Sequence, residues 1–202
     1  MKKGFLIAFE GIDGTGKSSQ LALLADYLRQ QGFDVVTTRE PTEGPYGQRI
    51  RALYTDRASH DINEELQLFI SDRRQHVRDL IEPALAQGKI VLTDRYYFST
   101  AAYQGAAGAD PEAIFAAHDF APVPDLVLLL EMEPEKSVAR IRELRGESLN
   151  DFEQVDQLRR VAALFTSFTH PCITRIDADR PLARVQEDIR EAVMKLLMGQ
   201  QH

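Results

Sequence analysis

The sequence predicts an α/β fold in which a five-stranded parallel sheet is flanked by helices on both faces. Three observations predict it. Short apolar runs suited to buried strands recur at Phe5–Phe9, Val35–Thr38, Ile90–Thr93, Leu126–Leu130 and Ile173–Ile176. Helical patterns fill most of the intervals, an alternation that reads as a parallel sheet covered on both sides. A glycine-rich loop joins the first run to the first helical pattern, where Leu21, Leu24, Ala25 and Leu28 fall at helical spacing.

That loop, Gly11-Ile12-Asp13-Gly14-Thr15-Gly16-Lys17-Ser18, spells G-x-x-x-x-G-K-[ST], followed by Ser19. At ordinary glycine usage an unselected chain of this length carries the pattern with a probability on the order of one in a hundred. The strand before it and the helix after it are the setting the pattern requires. Successive backbone N–H groups must wrap a polyphosphate without a side chain in the way, which favours glycine at Gly11, Gly14 and Gly16. Lys17 adds a charge for the β- and γ-phosphates, the Ser18 hydroxyl is suited to Mg²⁺, and the helix N-terminus adds its own partial positive charge. A nucleoside triphosphate such as ATP is the implied ligand.

The second helix is expected from about Asn63 to Gln87. Its apolar stripe runs through Leu66, Phe69, Ile70, Val77, Leu80, Ile81 and Ala84, and Arg73 falls on the same stripe. An arginine facing the core needs a partner, either the polar edge of a ligand, with Phe69 stacking one turn earlier, or a carboxylate inside the fold. The third strand ends in Asp94-Arg95, an acid and a base placed for a metal-linked carboxylate and a phosphate-gripping guanidinium. Glu131 at the end of the fourth strand is the rival acid; Asp94 is preferred because Arg95 stands beside it. Arg140, Arg142 and Arg145 cluster in and after a helix ending near Gly146. That makes residues 140–153 a candidate lid able to close over a transferring phosphoryl group. The irregular stretches are Pro41–Gly47, Gly105–Pro111 and Arg145–Asn150, and His170-Pro171-Cys172 reads as a loop entering the last strand.

With 202 residues, 44% of them hydrophobic and 27% charged, the chain is expected to form one domain over residues 1–202. A formal charge of −7 without a long basic run argues against a general nucleic-acid surface. No apolar stretch reaches the ~18 residues of a membrane span, so a cytoplasmic protein is expected. The single cysteine cannot form an internal disulfide, and the five histidines lack metal-ligand spacing.

Taken in order, these residues resemble the thymidylate kinases, a family of P-loop nucleoside monophosphate kinases. Phe9-Glu10-Gly11 through Ser18 is similar to the family's opening and Thr38-Arg39-Glu40-Pro41 to its second-strand motif. Asp94-Arg95-Tyr96 with Ser99-Thr100-Ala101-Ala102-Tyr103-Gln104-Gly105 is similar to its signature. The resemblance implies a P-loop kinase fold and phosphoryl transfer from ATP to dTMP. Lys17 and the loop from Gly11 to Ser19 would hold ATP, and Ser18 and Asp94 would hold Mg²⁺. Arg95 would grip the dTMP phosphate, and Asp13 would lie near the acceptor sugar and phosphate. Phe69 would stack on thymine and Arg73 bond its edge, with Glu40, Pro41, Ser99, Thr100, Tyr103 and Gln104 around the acceptor. Gly14 stands where some relatives carry an arginine, so the charge on the transferring group would come from Arg142 or Arg145. A homodimer is implied as well. Two departures are Thr42-Glu43-Gly44-Pro45-Tyr46-Gly47 in place of a glycine pair after Glu-Pro, and Asn150-Asp151-Phe152-Glu153, which lacks a lid arginine. They leave open a kinase for another monophosphate such as dUMP. A nucleotide-dependent switch ATPase is the reading from another class, though the chain has no Asn-Lys-x-Asp guanine-reading motif.

Overall fold

The structure, a computed structural model, describes residues 4–53, 61–145 and 151–199, with the backbone alone for residues 144, 145 and 151–154. Its strands are β1 (Phe5–Glu10), β2 (Val35–Arg39), β3 (Ile90–Asp94), β4 (Leu126–Glu131) and β5 (Ile173–Asp177). They pair in the order β2-β3-β1-β4-β5, all parallel. Each runs one residue beyond its apolar stretch into a charged one, Glu10, Arg39, Asp94, Glu131 or Asp177. The hydrogen-bonded ladder continues there although the apolar run ends, so all five strands finish on an ionisable side chain at one edge of the sheet.

Alternation along the strands sends side chains to two separate cores. Ile7, Phe9, Leu92, Leu128 and Leu130 meet Leu21, Leu24 and Leu28 of α1 (Lys17–Gln30) and Val185, Ile189 and Val193 of α9 (Leu182–Gly199). Leu6, Ala8, Val91, Val127 and Leu129 face the opposite core. It is built from Tyr97, Phe98, Ala101 and Ala102 of α5 (Tyr97–Ala106), Ile114 of α6 (Pro111–Ala117), Val138 of α7 (Pro134–Arg145) and Leu158, Val161 and Phe165 of α8 (Asp151–Ser167). The chain therefore leaves β1 toward one face but leaves its neighbours β3 and β4 toward the other. Such a switch opens a crevice at the carboxyl end of β1, where ligands of this architecture bind.

Two expectations need correction. Pro45 does not lie in a purely irregular stretch but opens α2 (Pro45–Leu53), as suits a residue that has no N–H to leave unbonded at a helix start. The long second helix is not uniform either. It runs as α3 (Ile62–His76), a π-helical turn Val77–Ile81, and α4 (Glu82–Ala86). Pro83 cannot bond the carbonyl four residues back, and the wider turn places it in the first turn of α4. Asp61 caps α3, accepting from the Asn63 amide at 3.0 Å. No described helix is long and apolar enough to cross a membrane.

Candidate active site

The loop after β1 has the backbone its glycines predict. Gly11, Gly14 and Gly16 take φ of 129°, 81° and 90°, values that L side chains rarely adopt. Space forbids a side chain as well: a Cβ on Gly11 would lie 2.3 Å from the Leu130 carbonyl oxygen, and one on Gly14 would lie 2.7 Å from that of Ser137. The absence of an arginine at Gly14 thus follows from how closely α7 crosses the loop, fastened by the Ser137 hydroxyl donating to the Asp13 carbonyl. Gly14→Ala is expected to cost about 1–3 kcal/mol of stability. A thermal unfolding midpoint equal to the parent's would contradict the closeness of this crossing.

Lys17 is buried and donates to the carbonyls of Gly11 and Ile12 at 3.0 and 2.8 Å. Burial pulls its amine down to about 8, opposed by the nearby carboxylates. Its hydrogen-bond acceptors are neutral carbonyls, so this buried ammonium is suited to an anion such as a phosphate entering the loop. The Ser18 hydroxyl donates to Asp94 Oδ2, while Asp94 Oδ1 is buried with no hydrogen-bond partner. Glu131, the rival acid, is held by Arg175. A hydroxyl beside a carboxylate with an unused buried oxygen is a hard-oxygen donor set suited to Mg²⁺.

Arg95 follows β3 in the left-handed region at φ 72°, a conformation costing about 1–3 kcal/mol that the surroundings must impose. Its amide donates to the Phe9 carbonyl at 2.9 Å. Its guanidinium donates to Asp13 Oδ1 at 2.7 Å, to Ser99 Oγ at 2.9 Å and to the Tyr103 hydroxyl at 3.3 Å. Tyr103 in turn donates to Asp13 Oδ2 at 3.1 Å, and burial pushes its hydroxyl up to about 12, so it stays protonated. Partial burial raises the Asp13 carboxyl, but the charges of Arg95 and Lys17 and the Tyr103 bond outweigh it and bring it down to about 2. Asp13 is therefore an anion that holds the guanidinium of Arg95 at the mouth of the loop.

Arg73 is buried in the fold and has a carboxylate partner. Its Nε donates to Glu40 Oε2 at 2.9 Å and Nη2 reaches the same oxygen, while Nη2 also donates to Thr100 Oγ1 at 3.0 Å. The other Glu40 oxygen lies 2.9 Å from His76 Nδ1, and His76 Nε2 lies 2.7 Å from Thr38 Oγ1. Burial raises the Glu40 carboxyl, and Arg73 and His76 more than reverse this, leaving it below its usual range. The internal salt bridge thus accounts for two of the three guanidinium nitrogens. The third, Nη1, is buried without a hydrogen-bond partner, as is the hydroxyl of Tyr96, whose ring lies 5.3 Å from the guanidinium carbon. A ligand bonding Nη1 must displace the side chains now covering it. Thr100 and Gln104 are buried nearby on α5, Pro41 follows Glu40 through a cis peptide bond, and Phe69 is half-buried outside both apolar cores.

The departure at Thr42–Gly47 is tightly built. Asp72, itself buried, accepts from the Thr42 amide at 2.8 Å and its hydroxyl at 2.6 Å. Asp72, Glu10, His76 and Ser137 are structural supports to which the sequence reading gave no role. Among the lid candidates, Arg140 donates to the Ala178 carbonyl at 3.2 Å, and Arg142 is exposed on α7. The Arg145 side chain, residues 146–150 and the side chains of residues 151–153, which include the second departure, lie outside what the structure describes. Ser99 is buried and bonded to Glu10 and Arg95. It supports Arg95 from behind.

Glu10 at the end of β1 is fully buried, and burial pushes its carboxyl up to about 7 against the pull of Ser99 and Arg95.

These positions fall inside a match to known proteins. The family profile described as thymidylate kinase covers residues 9–189. A thymidylate kinase of Desulfotalea psychrophila is 54% identical over 194 residues, covering 96% of this chain and 96% of its own length. One from Xanthomonas campestris pv. campestris is 46% identical over 195 residues, with 96% and 85% covered. One from Akkermansia muciniphila is 46% identical over 194 residues, with 95% and 92% covered. Since the profile runs from the end of β1 into α9 and these relatives align along nearly their whole length, the chain belongs to the thymidylate kinase family.

Proposed function

We propose that the protein transfers the γ-phosphoryl group of ATP to the 5′-phosphate of dTMP, giving dTDP and ADP. The observation that carries this reading is the 2.7 Å bond between Asp13 of the phosphate loop and Arg95 of the β3 end, which puts a triphosphate cradle and a second phosphate grip side by side. A protein that only hydrolysed or sensed ATP has no need of the second. In this reading the loop amides from Gly11 to Ser19 and Lys17 hold the donor phosphates. Arg95 turns from Asp13 to the acceptor phosphate. Asp13 and Tyr103 then face the acceptor sugar and phosphate. Phe69 stacks on thymine, the spare Nη1 of Arg73 donates to a base carbonyl, and Glu40, Pro41, Thr100 and Gln104 complete the surroundings.

The acceptor phosphate is already ionised at neutral pH, so alignment and charge neutralisation carry the reaction more than proton removal. Mg²⁺, held by Ser18 and Asp94, supplies further neutralisation when bound. Positive charge on the transferring group comes from the lid, through Arg142 or Arg145, because Gly14 carries none. The whole of residues 1–202 acts as one domain, working in the cytoplasm as a homodimer without nucleic-acid or membrane partners.

Coupled ADP release with ATP and Mg²⁺ tests this when dTMP, dUMP, UMP, CMP, AMP and GMP are offered separately. dTMP is expected to give much the largest turnover. The thymine methyl contributes only about 1 kcal/mol of burial, so dUMP is the competitor to watch. A win for another monophosphate moves the acceptor assignment to the Thr42–Gly47 loop, and ATP hydrolysis indifferent to every acceptor supports the switch reading.

A further inference from the structure

Glu10 holds the phosphate-gripping arginine in place without touching it. Its Oε1 accepts from the amides of Tyr96 and Ser99 at 2.9 and 3.1 Å, and its Oε2 accepts from the Ser99 hydroxyl. These donors belong to the segment that leaves Arg95 and opens α5, whose N-cap residue Tyr96 offers no side-chain cap. A buried carboxylate on the neighbouring strand β1 takes over that capping role. On its other side Arg95 is tied by its amide to Phe9, the residue before Glu10. The left-handed turn at Arg95, φ 72°, is thus clamped between two consecutive residues of β1. The serine is polarised as well. Because its hydroxyl hydrogen points to Glu10, Ser99 Oγ presents its lone pairs elsewhere, and Arg95 Nη1 donates to one of them at 2.9 Å.

We propose that Glu10 is a positioning residue for the acceptor phosphate: by accepting the Ser99 hydroxyl it turns the lone pairs of that oxygen toward Arg95 and aims the guanidinium before dTMP arrives. The inference rests on the phosphoryl-transfer reading for the identity of the anion and on the hydrogen-bond chain for the role. Glu10→Gln keeps the shape and leaves an oxygen for the two amides. It also turns an N–H₂ toward Ser99 Oγ, which then faces donors from both sides and has no acceptor for its own proton. Loss of one such charge-assisted bond is expected to weaken dTMP about tenfold or more.

The test measures dTMP and ATP affinities by titration calorimetry and both KM values, for the parent, Glu10→Gln, Ser99→Ala and the double variant, each checked by circular dichroism. The expected result is a rise of about tenfold in dTMP Kd and KM with ATP values changed less than about twofold. The double variant should be no worse than Glu10→Gln alone, because both break one chain. If Glu10→Gln does not fold, Ser99→Ala carries the same expectation, since it removes the relay and leaves both amide bonds. Unchanged dTMP affinity in a folded variant, or equal loss for dTMP and ATP, overturns the proposal. A parent that binds dTMP without releasing ADP overturns the transferase reading instead, and the dTMP Kd series still decides the role of Glu10.

Discussion

Lys17→Ala protein is expected to fold and to lose phosphoryl transfer by a factor of about 10³ or more. The magnitude follows from what the ammonium does. Removing a single preorganised donor from a site that stabilises developing negative charge costs about 10²–10³ in rate, and Lys17 brings a full charge from a buried position. Stability should change little. Burial already holds the amine below its ordinary value, which means that keeping this charge inside the protein opposes folding. The alanine leaves the carbonyls of Gly11 and Ile12 without their present donor, a loss of about 1–2 kcal/mol that water entering the loop reduces and relief of the buried charge offsets. Lys17→Arg is expected to rescue little, because a planar guanidinium cannot stand in for a compact point charge in a cradle of this size. Single-turnover ADP formation at saturating dTMP, beside a thermal melt, checks both halves. Transfer at more than a tenth of the parent rate in folded Lys17→Ala would show that the loop amides alone carry the donor phosphates.

What was legible in the sequence, and what was not, divides along a physical line. The strands, the helices beside them and the phosphate loop were readable because each is set by local periodicity or by glycines that a backbone shape demands. The strand ends were read one residue short because the sequence cue was an apolar run, while the ladder follows backbone hydrogen bonding into a charged residue, half-buried at Asp94 and Glu131 and fully buried at Glu10. The π-helical turn was hidden because Pro83 signals a break in a helix without saying how the chain will absorb it. Supports such as Glu10 and His76 were missed for another reason. Their partners lie tens of positions away, Glu10 against Tyr96 and Ser99 and His76 against Thr38 and Glu40, and no local spacing encodes such a pairing. Glu10 could still have been found, since an acid ending a buried strand was the cue used for Asp94 and Glu131. Arg73 is the instructive case. The stripe correctly put an arginine inside and required a partner, and the structure supplies Glu40 while leaving one nitrogen over.

That leftover nitrogen makes Arg73 the position where a structural and a recognition role can be separated by experiment. Arg73→Ala removes the main cation from a buried carboxylate, and breaking such a pair from one side costs about 3–5 kcal/mol. His76 Nδ1 remains against Glu40 Oε1 but cannot replace the bonds that the guanidinium made to the other oxygen. The alanine is therefore expected to melt well below the parent, and its kinetics would mix unfolding with lost recognition. Arg73→Lys is the cleaner probe. It keeps a positive charge beside Glu40 but gives up the paired Nε and Nη2 bonds, the bond to Thr100 and the spare Nη1 donor. Loss of a charge-assisted bond to the base is worth about 1.5–3 kcal/mol, so the KM for dTMP should rise ~10–100-fold. The KM for ATP should stay within about twofold, since Lys17, Ser18 and the loop amides are untouched. Selection should weaken too, with the ratio of kcat/KM for dTMP over CMP falling further than kcat itself, because cytosine offers an amino group where thymine offers a carbonyl. A folded Arg73→Lys protein with parental dTMP affinity and an unaltered dTMP-to-CMP ratio would make Arg73 a structural partner of Glu40 alone. Reading of the base would then have to rest on Thr100 and Gln104.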